Sequence, residues 1–409
     1  MQISIPFRHR PWVLVWPLSL AQMTSWGTLF FSFSLFVGPM QRELGWSRPL
    51  LNGALTLGLL VMGLTAYPVG ALLDRHGGRW LMTLGSLGAG MLLLAWSRVS
   101  SLAQFYALWI TLGVCMACCL IEPLFSVVNR VFGAEARRGI TVVTMITGLA
   151  GTVYLPLVGY LVPALDWRTT LVVLAVLNLA VNAPIHWLFV PPRAATGHRT
   201  HPLQRQRGRV WMRRRLRNPV FWGLALWYTS YSLTSSCLIF QFVPLMRHEH
   251  VPDAVTFFAF GLIGPVMLVA RLVLVAFGRR ASISLLGAFT SSLVPLSILL
   301  LVFVPRELAW LCVFTATFAT GHGITTILRG TAPIEWLGRE HFGRTMGAIA
   351  LPMAFAMALA PSLTAYVWAA SGSSRAMLWT IFAGSLFGTV GYAIAALSRR
   401  RHRRAVRPL

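Results

Sequence analysis

G-A-L-L-D-R-H-G-G-R-W, residues 70–80, lies between two apolar runs and carries Asp74, one of only ten acidic residues in a 409-residue chain. The acid stands among Arg75, His76 and Arg79, which makes its surroundings the first question. The chain is 56% hydrophobic and 11% charged, with mean hydropathy +0.68. Such a composition is too apolar for an ordinary soluble protein and points to the membrane class. One crossing takes roughly 20 apolar residues. Working outward from Asp74, apolar segments run over 12–38, 50–73, 80–97, 102–132, 139–163, 167–190, 219–246, 253–277, 281–304, 308–335, 343–370 and 375–398. Twelve helical spans use nearly the whole chain and leave no room for a large soluble domain.

A net charge of +25 raises the question of a nucleic-acid partner. All 35 basic residues are arginine, and they collect in alternate loops, as topology signals do. Taking the N-terminus as cytoplasmic, Arg42, Arg48, Arg98, Arg168, Arg247, Arg306 and Arg375 fall outside. Arg271 lies within a span, and the remainder fall inside, so both termini are expected in the cytoplasm. The long first apolar segment opens with R-H-R-P-W and lacks a small-residue cleavage site, so it is read as a retained span. The longest hydrophilic stretch, 191–218, holds nine arginines. It divides the chain into a six-helix bundle over 1–190, a basic cytoplasmic linker over 191–218, and a second bundle over 219–409 with an Arg-rich tail. The run W-M-R-R-R-L-R within it is either a lipid-headgroup contact or a solvated linker.

The halves echo each other. R-V-F-G-A-E-A-R-R-G at 130–139 returns 205 residues later as E-W-L-G-R-E-H-F-G-R at 335–344, and G-G-R at 77–79 is answered by F-G-R-R at 277–280. Parallel six-helix repeats are a transporter architecture, with a substrate site near the midplane. Cys115, Cys118 and Cys119 include a C-x-x-C spacing, but no further Cys or His cluster accompanies it. Small packing residues are the better reading, and no metal site is expected. There is no Walker loop, nucleophile motif or catalytic constellation, so the chain is not expected to be an enzyme or to use ATP directly.

Gly70, Asp74, Arg75, Gly77 and Arg79 match G-x-x-x-D-R-x-G-x-R, the loop signature of the major facilitator superfamily, and the chain resembles that family over its whole length. G-W-S-R at 45–48 and D-W-R at 166–168 are similar to the branch of monocarboxylate and oxalate–formate carriers. The resemblance implies an all-α membrane fold of two pseudo-symmetric bundles, usually monomeric, working by alternating access. It also implies a cytoplasmic gate in which Asp74 engages the backbone near Gly343–Gly347 and Arg130. In the second half Val275 stands opposite Asp74. Glu335 answers Arg130, suggesting a latch of reversed polarity between Glu335 and Arg279 or Arg280.

Ionisable groups at mid-membrane cost about 2.5–3.5 kcal/mol and are functional candidates by default. Glu122 lies ten residues before Phe132, a rise of about 15 Å, next to Pro123. It is read as a proton-exchanging carboxyl, a substrate or gating contact, or one half of a static pair. Arg271 offers a planar fork for a carboxylate and stays charged. The family resemblance implies an arginine there that holds a substrate carboxylate, although Met267 replaces the aspartate that monocarboxylate carriers place one turn earlier. Internal pairing and snorkelling to the membrane face are the other readings of Arg271. His322 is a possible proton shuttle or a packing histidine, with His186 a weaker case. Gln22, Tyr228, Tyr231 and Gln241 are polar groups that could face a cavity.

The expectation is a secondary transporter of the plasma membrane, in bacteria the inner membrane. It has no cofactor and draws on a proton gradient. Its cargo is a small organic anion; the alternative is proton-driven export of drug-like or amphipathic compounds. A sensor that has lost transport is a more distant reading.

Overall fold

A computed structural model describes residues 11–192, 211–277 and 281–405, and all regular structure among them is helical. By contacts the chain forms two compact units, Met1–Arg205 with Glu340–Leu351, and Gln206–Arg339 with Pro352–Leu409.

The first unit holds α1 (Pro11–Trp26), a π-helical turn (Gly27–Phe31), α2 (Phe33–Leu44), α3 (Arg48–His76), α4 (Arg79–Trp96), α5 (Leu102–Cys119), α6 (Ile121–Phe132), α7 (Ala136–Thr147), α8 (Ala150–Leu165) and α9 (Trp167–Phe189). The second holds α10 (Pro219–His248), α11 (Asp253–Gly261), α12 (Ile263–Phe277), α13 (Ile283–Phe303), α14 (Leu308–Leu337), α15 (Phe342–Ser371) and α16 (Ser374–Ala405). The unit boundary falls inside α15, whose first residues group with the first unit. Ten helical stretches among the described residues are long and apolar enough to cross a membrane. The other two predicted segments are the helices α4 and α10. Trp12, Trp80, Trp310 and Trp379 are all exposed, as suits the membrane–water interface where tryptophans collect.

Several predicted continuous spans are interrupted, each for a local reason. The first breaks at the π turn, where Gly27 lies flush against the ring of Tyr154; a Cβ there would come within 2.2 Å of it. The fourth breaks between α5 and α6, with Leu120 at φ −83° and ψ −152°. Pro123 follows three residues later; it has no N–H for the Cys119 carbonyl, and its ring crowds that carbonyl. The eighth breaks at Leu262, ahead of Pro265.

Small residues set the helix contacts. In the first unit α4 packs on α9 and α5, and α3 packs on α5; in the second α10 packs on α16 and α13 on α14. A Cβ on Gly113 would stand 2.2 Å from the Gly58 carbonyl oxygen. The C-x-x-C cysteines belong to the same kind of seam, with Cys118 against Gly85 and Cys115 against Gly88. Proline inside a membrane helix leaves the carbonyl four residues earlier without its helical donor. In the second unit two such carbonyls are met from neighbouring helices. Ser236 donates to Met357 O at 2.9 Å, opposite Pro361, and Thr389 donates to Ser291 O at 2.8 Å, opposite Pro295.

The sequence repeat has a backbone counterpart. Left-handed residues at helix ends recur 205 or 206 positions apart: Gly45 (φ 72°) and His250 (φ 57°), Gly133 (φ 51°) and Gly338 (φ 91°), Asp166 (φ 71°) and Gly372 (φ 63°). Side chains follow. Glu43 accepts from Arg168 Nε at 2.8 Å and from the Trp167 indole, while Glu249 accepts from Ser374 Oγ at 2.9 Å.

Candidate functional site

The opening loop is built around Asp74. Gly77 ends α3 at φ 84°, and its N–H donates to Leu73 O. Asp74 Oδ1 and Oδ2 accept from the backbone N–H groups of Gly343 and Arg344 at 3.1 and 3.0 Å. These are amides of the first turn of α15, which have no helical acceptor of their own. Arg130, from the end of α6, reaches Asp74 Oδ1 at 3.2 Å and Leu73 O at 3.1 Å. Only 10% of the Asp74 side chain is exposed. Gly70 allows the approach, since a Cβ there would lie 2.2 Å from Gly343 O. Arg79 serves a different purpose: it donates to Val190 O at 2.8 Å, closing the end of α9, and lies over the Trp187 ring. Arg75 is exposed.

Glu122, in the first turn of α6, borders a void of about 10 Å³ whose wall includes Gly70, Leu73, Pro123 and Gly343. The void is at the lower limit for one water. Two of these residues supply backbone to the Asp74 and Arg130 contacts, so Glu122 and those contacts share one wall. Gln22 is buried beside the same helix start. With its amide oxygen turned toward them, it accepts from Trp26 Nε1 at 2.9 Å and from Ile121 N at 3.1 Å. Gln22 thus caps α6.

In the second unit the structure brings together candidates as far apart in sequence as Tyr231 and His322, 91 positions. Arg271 of α12 is 3% exposed and donates to Gly323 O at 3.3 Å and to Thr326 Oγ1 at 3.0 Å, both on α14. It turns into the helix contact, away from the membrane face. His322 precedes Gly323 in sequence; its Nδ1 lies 2.8 Å from Tyr231 Oη and 3.1 Å from Ser235 Oγ, both from α10. Gly323 makes this possible, because a Cβ there would already meet Met267 Cα at 3.3 Å. The result is a guanidinium, an imidazole, a phenol and hydroxyls on three adjoining helices. Such a set offers donors and positive charge to an anion and a titratable ring beside it.

Tyr228 and Gln241 do other work. Tyr228 is fully buried and donates to Leu328 O at 2.9 Å. Gln241 donates to Pro361 O and Thr364 Oγ1 at 3.2 and 3.1 Å. Glu335 pairs with Arg399 Nη2 at 2.7 Å, an arginine of α16 that the sequence reading did not consider. Arg279 and Arg280, its expected partners, lie outside the described residues. The sequence reading also missed Arg329, which the side assignment grouped with inner loops. It lies within α14 on the stripe of His322 and Thr326, eight residues before Leu337. Its apolar flanks, I-L-R-G, were the available signal.

Residues 15–290 match the Major Facilitator Superfamily. A search of curated protein sequences found no match. Among solved structures, that of the human organic anion transporter MFSD10 (TETRAN) is similar, with a TM-score of 0.69 and 17% identity over 96% of this chain and 100% of that one. The family match, the all-helical fold and the apolar helices together describe a multi-pass membrane transporter, not an enzyme, and the chain belongs to the major facilitator superfamily.

Proposed function

We propose that the protein is a secondary active transporter that carries a small organic anion, a carboxylate, coupled to protons by alternating access. The observation that carries this reading is the buried Arg271, held on α14 beside His322, Tyr231 and Ser235. An arginine stays ionised at any physiological pH, so burial in a membrane helix costs several kcal/mol unless its charge is put to use. The similarity of fold to an organic anion transporter supports the same cargo class.

Glu122 is the protonation site in this proposal. Its void shares Gly70, Leu73 and Gly343 with the Asp74 gate, so adding or removing a charge there acts on the wall that the gate closes. Twelve crossings, cytoplasmic termini, a monomer and a plasma-membrane location, the inner membrane in a bacterium, complete the reading.

The test is uptake of radiolabelled organic anions into proteoliposomes under an imposed pH gradient. Accumulation that Arg271→Ala abolishes, and that Arg271→Lys restores only in part because the planar fork is lost, is the expected result. Flux of amphipathic cations alone, unaffected by Arg271→Ala, rejects the anion reading in favour of drug-like export. No flux of any solute rejects transport.

A further inference from the structure

One face of α9 carries Asn178, Asn182 and His186, spaced four residues apart, and all three are 0% exposed. Each makes one bond to a hydroxyl on a neighbouring helix. Asn178 Nδ2 donates to Thr28 Oγ1 at 2.9 Å, Asn182 Nδ2 donates to Ser25 Oγ at 2.9 Å, and His186 Nδ1 lies 2.8 Å from Ser86 Oγ. The orientation of the first amide is forced, because Thr28 gives its own proton to Thr24 O at 2.8 Å and has only lone pairs left for Asn178. The other polar atom of each residue, Asn178 Oδ1, Asn182 Oδ1 and His186 Nε2, has no hydrogen-bond partner among the described residues.

Three buried polar atoms left over on one helix stripe are unusual, since such groups are normally satisfied by protein or by ordered water. Their spacing selects between the possible ligands. Four residues of helix rise about 6 Å, a gap that one or two waters making bonds of about 2.8 Å can bridge between side chains. A metal ion would need its oxygen ligands gathered around one point, whereas these residues follow one another along the helix at steps of about 6 Å.

We propose that α9 binds a file of bridging waters linking Asn178 Oδ1, Asn182 Oδ1 and His186 Nε2. Water suits either tautomer of the histidine, as donor to a bare nitrogen or acceptor from a protonated one. The file runs about 12 Å along the helix and places water at a buried imidazole. The groups packed around that ring are the Ser86 hydroxyl and Met82 carbonyl of α4 and the Cys119 thiol of α5, which also bonds Ser86. Arg79, at the start of α4, is occupied by Val190 O. This site is separate from Glu122 and Arg271 and does not depend on the identity of the cargo.

Deuterium exchange at the ring C2 of histidine, read by peptide mass spectrometry on the purified full chain in D2O, tests the file. That exchange needs water at the ring. His76 and His248, both exposed, serve as internal references. The expected result is measurable deuteration of His186 despite its burial, lost in the double variant Asn178→Leu/Asn182→Leu while the references are unchanged. A wild-type His186 that stays undeuterated while the references exchange overturns the proposal, whether or not the double variant folds. Deuteration that persists in a folded double variant also overturns it, because water then arrives by another path.

Discussion

Asp74, at the end of α3, and Glu335, at the end of α14 where the repeat has Arg130 in the first half, are carboxylates that the two units use differently. Asp74 is nearly buried and gathers two backbone amides and a guanidinium. Glu335 is 44% exposed and holds one arginine, Arg399, which also lies over the Trp336 ring. The first arrangement depends on an acceptor at that place, because amides at a helix start need one. The second is a partly exposed contact between two side chains, held mainly by charge. A repeat inherited in sequence can thus support a directional contact in one copy and an interchangeable one in the other.

The comparison breaks most visibly at Asp74. Asp74→Ala strands Arg130 and the amides of Gly343 and Arg344; the expected loss is about 3 kcal/mol, the low end for a broken buried pair, measured by thermal unfolding in detergent. Exchanging the charges sharpens the contrast. The double variant Asp74→Arg/Arg130→Asp should not recover transport, because an arginine cannot accept from the α15 amides. Glu335→Arg/Arg399→Glu should recover whatever its single variants lose. Recovery in the first swap would show that only charge matters at Asp74.

Gly70→Val should cost about 1–3 kcal/mol, as overpacking does, since its side chain would meet Gly343 backbone. A cysteine placed at Ala66, which lines the same void, should then react faster with a maleimide. A smaller effect is expected at the opposite end of the first unit. Asp166 caps α9, with Oδ1 accepting from Thr169 N at 2.8 Å. That backbone bond first, then the Thr169 hydroxyl, holds its pKa below the ordinary carboxylate value. Its contribution is therefore present above the unfolded value and lost as pH falls through the lowered folded one. Asp166→Ala should cost about 1 kcal/mol at neutral pH and less in acid, as read from melting curves at both. In the second unit the same two tasks are divided between Gly372 (φ 63°) and the Ser373 hydroxyl. Smallest of all, Glu335→Gln should change stability by about 1 kcal/mol or less, and high salt should erase the difference.

Much of the fold could be read in advance because membrane helices announce themselves by length and hydropathy, and because the 70–80 loop has a rigid pattern. The family resemblance implied that Asp74 meets Arg130 and the backbone near Gly343, and those contacts are present in the structure. Arg271, His322 and Tyr231 were each visible as polar residues in apolar runs. That they meet was not visible, since the meeting depends on Gly323 allowing α12 and α14 to close, and no single-chain periodicity encodes which glycine faces which helix. Gln22, Tyr228 and Gln241 were read as groups that could face a cavity, whereas the structure uses them to hold backbone atoms. Helix breaks at Gly27, Leu120 and Leu262 interrupt runs that hydropathy treats as smooth. Arg329 escaped notice because it lies near the end of a long apolar run, where arginines ordinarily belong to loops.

The hydroxyls of Ser236 and Thr389 have an evolutionary consequence. Each meets a carbonyl that loses its own donor only once the proline stands four positions further on. Had Pro361 or Pro295 arisen first, a bare carbonyl would have faced lipid-like surroundings; had the hydroxyl arisen first, it would have been tolerated as an ordinary small residue. The permissive order is hydroxyl before proline. Removing the hydroxyl of Ser236 or Thr389 should therefore be harsher with the proline in place than without it.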